Sequence, residues 1–265
     1  MNGSDVADYW EQRLAGGPTL DKVGYRALGR HFNEWMYRVR RAHFVHRVGE
    51  ALRRYGIDVA QADILDAGCG SGFYIERWRE LGARRLSGWD ITVSSVNALR
   101  EKHPGVTFER MDIGTQMSPA GAFDCITCMD VLFHIVDDEK YAHAIANIAR
   151  LLNPGGVFVF TENCLHERPL NNPFQNSRTL TEIERLLEAN GLAIVERRPM
   201  FALMNAPIDS KNSLLHAYWK ALHASVARSE ALGWLLGALL YIPERIITSL
   251  LSEGPSTEML ICRRM

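Results

Sequence analysis

Apolar residues along this chain follow two rhythms. The runs DILDA (63–67), LSGWD (86–90), VTFERMD (106–112), FDCITCMD (123–130), VFVFTEN (157–163), LAIVERR (192–198) and TEMLICRR (257–264) are short and alternating or continuously apolar, and predict strands. Between them the spacing changes to three or four. Trp35, Val39, Ala42, Val45, Val48, Leu52 and Tyr55 predict an amphipathic helix over 34–55. Ile75, Trp78 and Leu81 predict another after the first strand. ITVSSVNALREK, ended by Pro104, predicts a third. Residues 138–152, closed by NPGG, and 181–190, closed by Gly191, complete the set. Strand and helix alternate from 63 to 160, the pattern of βαβ units. The expected class is α/β, a mainly parallel sheet with helices on both faces. Ligands of such sheets sit at the carboxyl ends of the strands, near the switch in strand order.

Composition narrows the class. The chain has 265 residues, 47% hydrophobic and 23% charged, with a net charge of -1. A disordered chain, a collagen-like fibre and a small disulfide scaffold are excluded, and a near-neutral balance argues against a nucleic-acid partner. The neutrality is a cancellation. Residues 22–54 carry nine Lys/Arg against Glu34 and Glu50, or +7, and the other 21 basic and 29 acidic residues give -8. Five scattered cysteines predict reduced thiols and a cytoplasmic setting. Cys125 and Cys128, three apart on a strand, should face opposite sides and share no metal. MNGSDVADYWEQR lacks the basic and apolar regions of a signal peptide. The longest charge-free apolar run, 231–243, falls short of the ~18–20 residues that span a bilayer.

The sharpest motif is Asp66-Ala67-Gly68-Cys69-Gly70-Ser71-Gly72, between a strand and a helix. Glycines there let the backbone turn and approach a ligand closely. A dinucleotide loop needs G-x-G-x-x-G, but position 73 is Phe, and a carboxylate at 66 repels a pyrophosphate. The D-x-G-x-G-x-G pattern resembles motif I of the class I S-adenosylmethionine (SAM) methyltransferases. Asp90 ends the second strand, Asp112-Ile113 the third, and Met129-Asp130 the fourth, and LLNPGGVFVF follows, in the order of that family.

The resemblance spans roughly residues 60–200 and, in outline, the last strand. It implies a Rossmann-like seven-stranded sheet with the last strand antiparallel, and SAM as cofactor, leaving S-adenosylhomocysteine. Asp66, Gly68, Gly70 and Gly72 would hold the cofactor. Asp90, with Ile91 beside it, would accept both ribose hydroxyls, two acceptor oxygens suiting a vicinal diol. Asp112 would meet the adenine amino group, Ile113 its ring, and Met129 and Asp130 would line the same site. NEWMYRVRR, MDVLFHIVDDEKY, RRPMFALMNAPIDS and EGPSTEMLICRR also look like bacterial methyltransferases found among surface-polysaccharide and secondary-metabolite genes, which fixes no substrate.

Methyl transfer from a sulfonium needs alignment, and an alcohol acceptor also needs a base. His134, four residues past the fourth strand, is the first candidate, against a plainer role as a structural histidine. Glu162, Asn163 and His166 follow the fifth strand. Glu162 is the alternative base, Asn163 and His166 candidate substrate contacts, against capping roles. No metal constellation is evident. The expected reaction is O-methylation of a sugar or small-molecule hydroxyl, with N- or C-methylation, a lipid-linked acceptor or SAM binding without turnover as alternatives.

Two helical caps frame this core. In the first (1–56), the basic helix either packs on an acidic body or lids the site. As a lid it would bring Arg38 or Arg41 to the methionine carboxylate of SAM, and Tyr25, His31, Asn33 and Tyr37 to the substrate. The second, residues 200–256, separates the last two strands of a core made of 57–199 and 257–265. A connection that long is functional or has its own structure. Its apolar helices leave open a packed flap, a homodimer interface, a lid over an apolar or lipid-linked substrate, or contact with an anionic membrane surface.

Overall fold

The computed structural model describes residues 3–115, 123–168 and 174–265, with side chains from Val6 onward. Seven strands form one sheet: β1 (Asp63–Ala67), β2 (Arg85–Asp90), β3 (Thr107–Arg110), β4 (Phe123–Cys128), β5 (Leu152–Glu162), β6 (Leu192–Pro199) and β7 (Glu258–Arg264). Their order is β3-β2-β1-β4-β5-β7-β6. The pairs from β3 to β5 are parallel, and β7 runs antiparallel to both β5 and β6. Strand order reverses between β1 and β4, so the loops after these strands flank the switch crevice.

The pleat divides the core in two. Ile64, Cys125, Val157, Val159 and Ile261 face one side, while Leu65, Ile126, Cys128, Phe158, Phe160 and Leu260 face the other. Cys125 and Cys128 thus lie in different clusters, both as free thiols. The first side is covered by α3 (Gly29–Arg54), α4 (Phe73–Glu80) and α5 (Val93–Lys102), the second by α6 (Asp138–Leu151) and α7 (Leu180–Ala189). Two helices precede them, α1 (Gly3–Leu14) and α2 (Leu20–Val23), and α8 (Ser213–Val226) and α9 (Glu230–Leu250) stand between β6 and β7.

Of the two roles open to the basic helix, α3 takes the first. Phe32, Val39, Phe44 and Val48 are fully buried along it. Its arginines meet acids of the body: Arg40 with Asp130 at 2.8 Å, Arg47 with Glu196 at 3.2 Å, and Arg41 with Glu80. The added helix that reaches furthest over the ligand edge of the sheet is α1, through Val6, Trp10 and Leu14.

α9 also corrects an expectation. The charge-free run ends at Pro243, but the helix continues to Leu250 with Pro243 inside it. By length and composition it could cross a bilayer, although 22% of its most apolar window is buried in the protein. Just past Pro243, Glu244 turns inward, accepting the N–H groups of Ala202 (2.5 Å), Leu203 (2.8 Å) and Met204 (3.2 Å) and fixing the helix to the loop after β6.

Candidate active site

At the switch crevice lies a cleft of about 140 Å³. Its floor is Ala67 to Ser71, between β1 and α4. Asp90-Ile91, Met111 to Ile113 and Met129 to Val131 supply its walls from the ends of β2, β3 and β4, and His134 and Ile135 close one end. Val6, Trp10 and Leu14 of α1 reach it as well.

The loop has the form a close-approaching ligand requires. Gly68, Gly70 and Gly72 have φ of 76°, 49° and 77°. A Cβ on Gly68 would also lie 2.2 Å from Val131 Cγ2, so only glycine fits there. The N–H groups of Gly68 and Cys69 are tied to Trp89 O at 2.7 and 2.9 Å, which fixes the loop on β2.

The acids differ in what remains open on them. Trp78 Nε1–H donates to Thr127 Oγ1 (3.2 Å), whose hydroxyl donates to Asp66 Oδ1 (2.8 Å). Asp66 Oδ2 is buried with no hydrogen-bond partner among the described residues. Burial, eased by the Thr127 hydrogen bond and reinforced by the nearby charge of Asp90, raises this carboxyl to about 7. A buried acceptor without a partner is costly, and a cationic amino group answers that need. Asp90 accepts from Gly70 N–H (2.8 Å), Thr92 N–H (2.9 Å) and Thr92 Oγ1–H (2.6 Å). Three of its roughly four lone-pair directions are taken, so one ligand hydroxyl fits without rearrangement, where two were expected. Asp112 lines the cleft and accepts from Gly114 N–H at 2.9 Å. Ile91, Ile113, Met129 and Asp130 line it too.

Asp130 has φ of 58°, the left-handed region that few non-glycine residues adopt. Its carboxylate pairs with Arg40, and its N–H donates to Thr161 Oγ1 at 2.6 Å. The guanidinium of Arg40 also lies over the rings of Tyr37 (5.3 Å) and Phe201 (4.6 Å). Of the three α3 arginines Arg38, Arg40 and Arg41, Arg40 is therefore the one tied to a cleft-lining group.

His134 faces the cleft from a 3-10 turn over Leu132–His134. Its Nδ1 lies 3.0 Å from Phe174 O. A carbonyl only accepts, so Nδ1 carries the proton and Nε2 is the basic nitrogen. The Trp10 ring meets the imidazole edge-on at 5.0 Å. Burial holds the imidazole below its ordinary value, against the Phe174 hydrogen bond and the Asp130 charge.

Other expected site residues lie elsewhere. Glu162 is sealed: Tyr141 O–H donates to it at 3.3 Å, Asn163 N–H at 3.0 Å, and burial raises it to about 7. It lies outside the cleft lining and is corrected from alternative base to buried network member. Asn163 is spent on Ser177 (2.7 Å) and Thr257 (3.0 Å). His166 is an exposed partner of Asp209 at 2.6 Å. Arg41 is held by Glu80, outside the cleft, and does not serve a ligand carboxylate there. Tyr25 packs with Trp219 and His223 of α8, and His31 sits beside Glu230. Asn33 is buried, bridging Gly29 O and both backbone groups of Tyr25. Of the proposed substrate contacts, Tyr37 alone lines the cleft.

The reasoning missed α1. Val6, Trp10 and Leu14 recur every four residues in VADYWEQRL, a short helical stripe that would have flagged it. Glu11, between them, accepts from Val93 N–H (2.7 Å), Ser94 N–H (3.0 Å) and the Ser94 hydroxyl. It thereby caps the first turn of α5, where N–H groups lack helical partners. Arg13 fastens the other flank, donating to Lys22 O (2.5 Å), Gly24 O (2.7 Å) and the Tyr9 hydroxyl (2.8 Å).

Residues 64–156 match the family described as a methyltransferase domain. That match and the seven-stranded sheet around it support a class I SAM-dependent methyltransferase. A probable SAM-dependent methyltransferase of Mycolicibacterium smegmatis is 28% identical over 148 residues, covering 54% of this chain and 56% of that protein. A ubiquinone biosynthesis O-methyltransferase of Albidiferax ferrireducens is 32% identical over 112 residues, covering 40% and 43%. The chain thus matches about half the length of these curated relatives. Among solved structures, a magnesium protoporphyrin IX methyltransferase from Synechocystis with bound S-adenosylhomocysteine aligns over 100% of both chains, with a TM-score of 0.58 and 16% identity. That likeness concerns the fold of the methyltransferase domain and its additions.

Proposed function

We propose that this chain methylates a hydroxyl of a small molecule or sugar, using SAM. The observation that carries the reading is a lone buried acceptor, Asp66 Oδ2, directly before the glycine loop that floors the cleft, and a neutral imidazole, His134, that lines the cleft itself. When bound, SAM supplies a methyl group on an electrophilic sulfonium. Asp66 would take its amino group, Asp90 one ribose hydroxyl, Asp112 the adenine amino group, and Ile113 and Met129 the ring faces. Gly68, Gly70 and Gly72 let the backbone close on the ligand. His134 Nε2 would remove the acceptor proton, while Phe174 O holds the protonated Nδ1 in place. Trp10 and Leu14 exclude water, which strengthens the electrostatics inside.

Calorimetry with SAM on the wild type and Asp90→Ala tests the cofactor half, with a loss of about tenfold in affinity expected. Unchanged affinity removes Asp90 from the site. Asp66 gives a proton signature. An ammonium partner lowers a carboxyl raised to about 7, so near pH 6 SAM binding should release a proton and affinity should rise with pH up to about 7. A binding enthalpy independent of buffer ionisation at pH 6 contradicts this. An acceptor screen with methyl-labelled SAM tests the reaction, and label on nitrogen or carbon replaces the hydroxyl reading. His134→Ala should lower kcat by about 10²–10⁴ without loss of SAM binding. The wild-type acid limb should lie below 6.5, the ordinary histidine value, because burial disfavours the charged imidazole.

A further inference from the structure

The outer face of α9 is not covered by any described element. Leu232, Leu235, Leu239, Ile242, Ile246 and Leu250 are spaced by three or four, and all are exposed, Leu239 by 63% and Leu250 by 78%. Single exposed leucines are ordinary. Six in one line, with half-exposed Trp234 beside them, make a contiguous apolar patch. No charge interrupts it. Of the charged residues of α9, Glu230 binds the N–H groups of Arg30 and His31 (both 2.9 Å), Glu244 is buried, and Arg245 leans toward Tyr241.

The patch has a basic border. α3 lies beside α9, with Gly233 against Phe32, Gly237 against Trp35, and Thr248 3.0 Å from His43. That packing sets Arg38, stacked 3.9 Å over Trp35, next to Trp234, whose ring is 6.1 Å from Trp35. Farther along the seam a shallow hollow is lined by Arg41, His46, Arg53 and Arg245, with Glu80 as its single acid. Arg38 is exposed, and no carboxylate among the described residues pairs with it. An apolar stripe edged by arginines and a tryptophan is the build of a helix lying in a lipid interface.

We propose that α9 rests in the surface of an anionic membrane, its stripe in the acyl boundary and the α3–α9 arginine ridge at the phosphates. It lies there rather than spanning. Its inner face is committed to the protein through Glu244 on Ala202, Leu203 and Met204 and through the two glycine contacts, and withdrawal would strand a buried carboxylate. A second copy docked two-fold on the same stripe would bring like-charged ridges together, whereas anionic lipid neutralises them.

Flotation of the full chain with vesicles of phosphatidylcholine, with and without phosphatidylglycerol, tests this independently of methyl transfer. Binding is expected to the anionic vesicles, weakening with salt. Arg38→Gln and Arg53→Gln should each weaken it about fivefold, and Leu239→Asp with Ile242→Asp more than tenfold. Both aspartates point outward, so an unchanged melting temperature confirms that the double variant folds. Absence of flotation with anionic vesicles at low salt overturns the proposal. So does wild-type binding by the double variant, or equal binding to neutral and anionic vesicles. A dimer in sedimentation that the double variant dissolves, without vesicle binding, assigns the stripe to a second copy.

Discussion

Helices α1 and α9 are both additions to the sheet, and they place their apolar residues in opposite ways. α1 is short and largely polar, yet Val6, Trp10 and Leu14 turn inward over the cleft, and Leu14 is almost fully buried. α9 is long and largely apolar, yet it buries Gly233, Gly237, Glu244 and Thr248 and leaves six leucines and isoleucines outside. Overall hydrophobicity therefore does not say which helix covers the site. What decides is the partner surface. α1 meets a concave, largely apolar cleft that three side chains complete. α9 meets α3 along a seam where glycine allows close approach, and the close-packed side is set by shape rather than by apolar content.

The largest effect should appear on that seam. A Cβ on Gly237 would stand 2.4 Å from Trp35 Cδ1, so Gly237→Leu should cost about 3 kcal/mol or force the helices apart. A thermal melt measures it, and wild-type stability would mean that α9 is not packed on α3. Next is Trp10→Ala, which uncovers the cleft and the edge of His134. SAM affinity should fall about tenfold, since a buried aromatic contributes roughly 1.5–3 kcal/mol and this one is partly exposed. Calorimetry reads it, and an unchanged Kd would deny α1 the role of lid.

Glu11→Gln should weaken SAM binding several-fold, removing a helix-terminus charge worth about 1 kcal/mol. The same latch has a pH signature. Burial pushes Glu11 up, but bonds from Ser94 and Val93 and the charge of Arg110 hold it below 4.5. Its contribution is full above that ordinary value and disappears as pH falls through the lowered one. Hydrogen exchange in α1 should therefore rise in acid for the wild type and be high throughout in Glu11→Gln. The smallest effect is Leu239→Ala on the outer face of α9, within about 0.5 kcal/mol of wild type in a melt. A large loss there would mean that the stripe packs against something in solution.

The strands and the glycine loop were legible because they are local. Alternation at 63–67 or 157–163 records burial on one or both faces, and Gly68 records a backbone angle. Asp90, Asp112 and His134 were legible because they end strands or follow them closely, and strand ends in a parallel sheet converge on one edge. Glu162 had the same signal and failed. Its strand β5 lies one place beyond the switch, where β7 and α6 close over it, and Tyr141 and Asn163 use its oxygens. Arg41 failed for a related reason. On a helix, consecutive arginines point about 100° apart, so Arg40 turns to Asp130 and Arg41 to Glu80.

The sequence by itself determined the class of sheet, the place of its ligand edge, the loop that bends there and the uneven charge of the first fifth of the chain. These follow from residue periodicity and backbone preference, which act over a few positions. Tertiary structure alone decided that α1 turns its apolar residues into the cleft, that the arginines of α3 meet acids of the body, and that α9 carries its apolar face outward. Each depends on which surface comes to lie opposite a helix, and that is settled by contacts between residues up to about two hundred positions apart, such as Thr248 with His43.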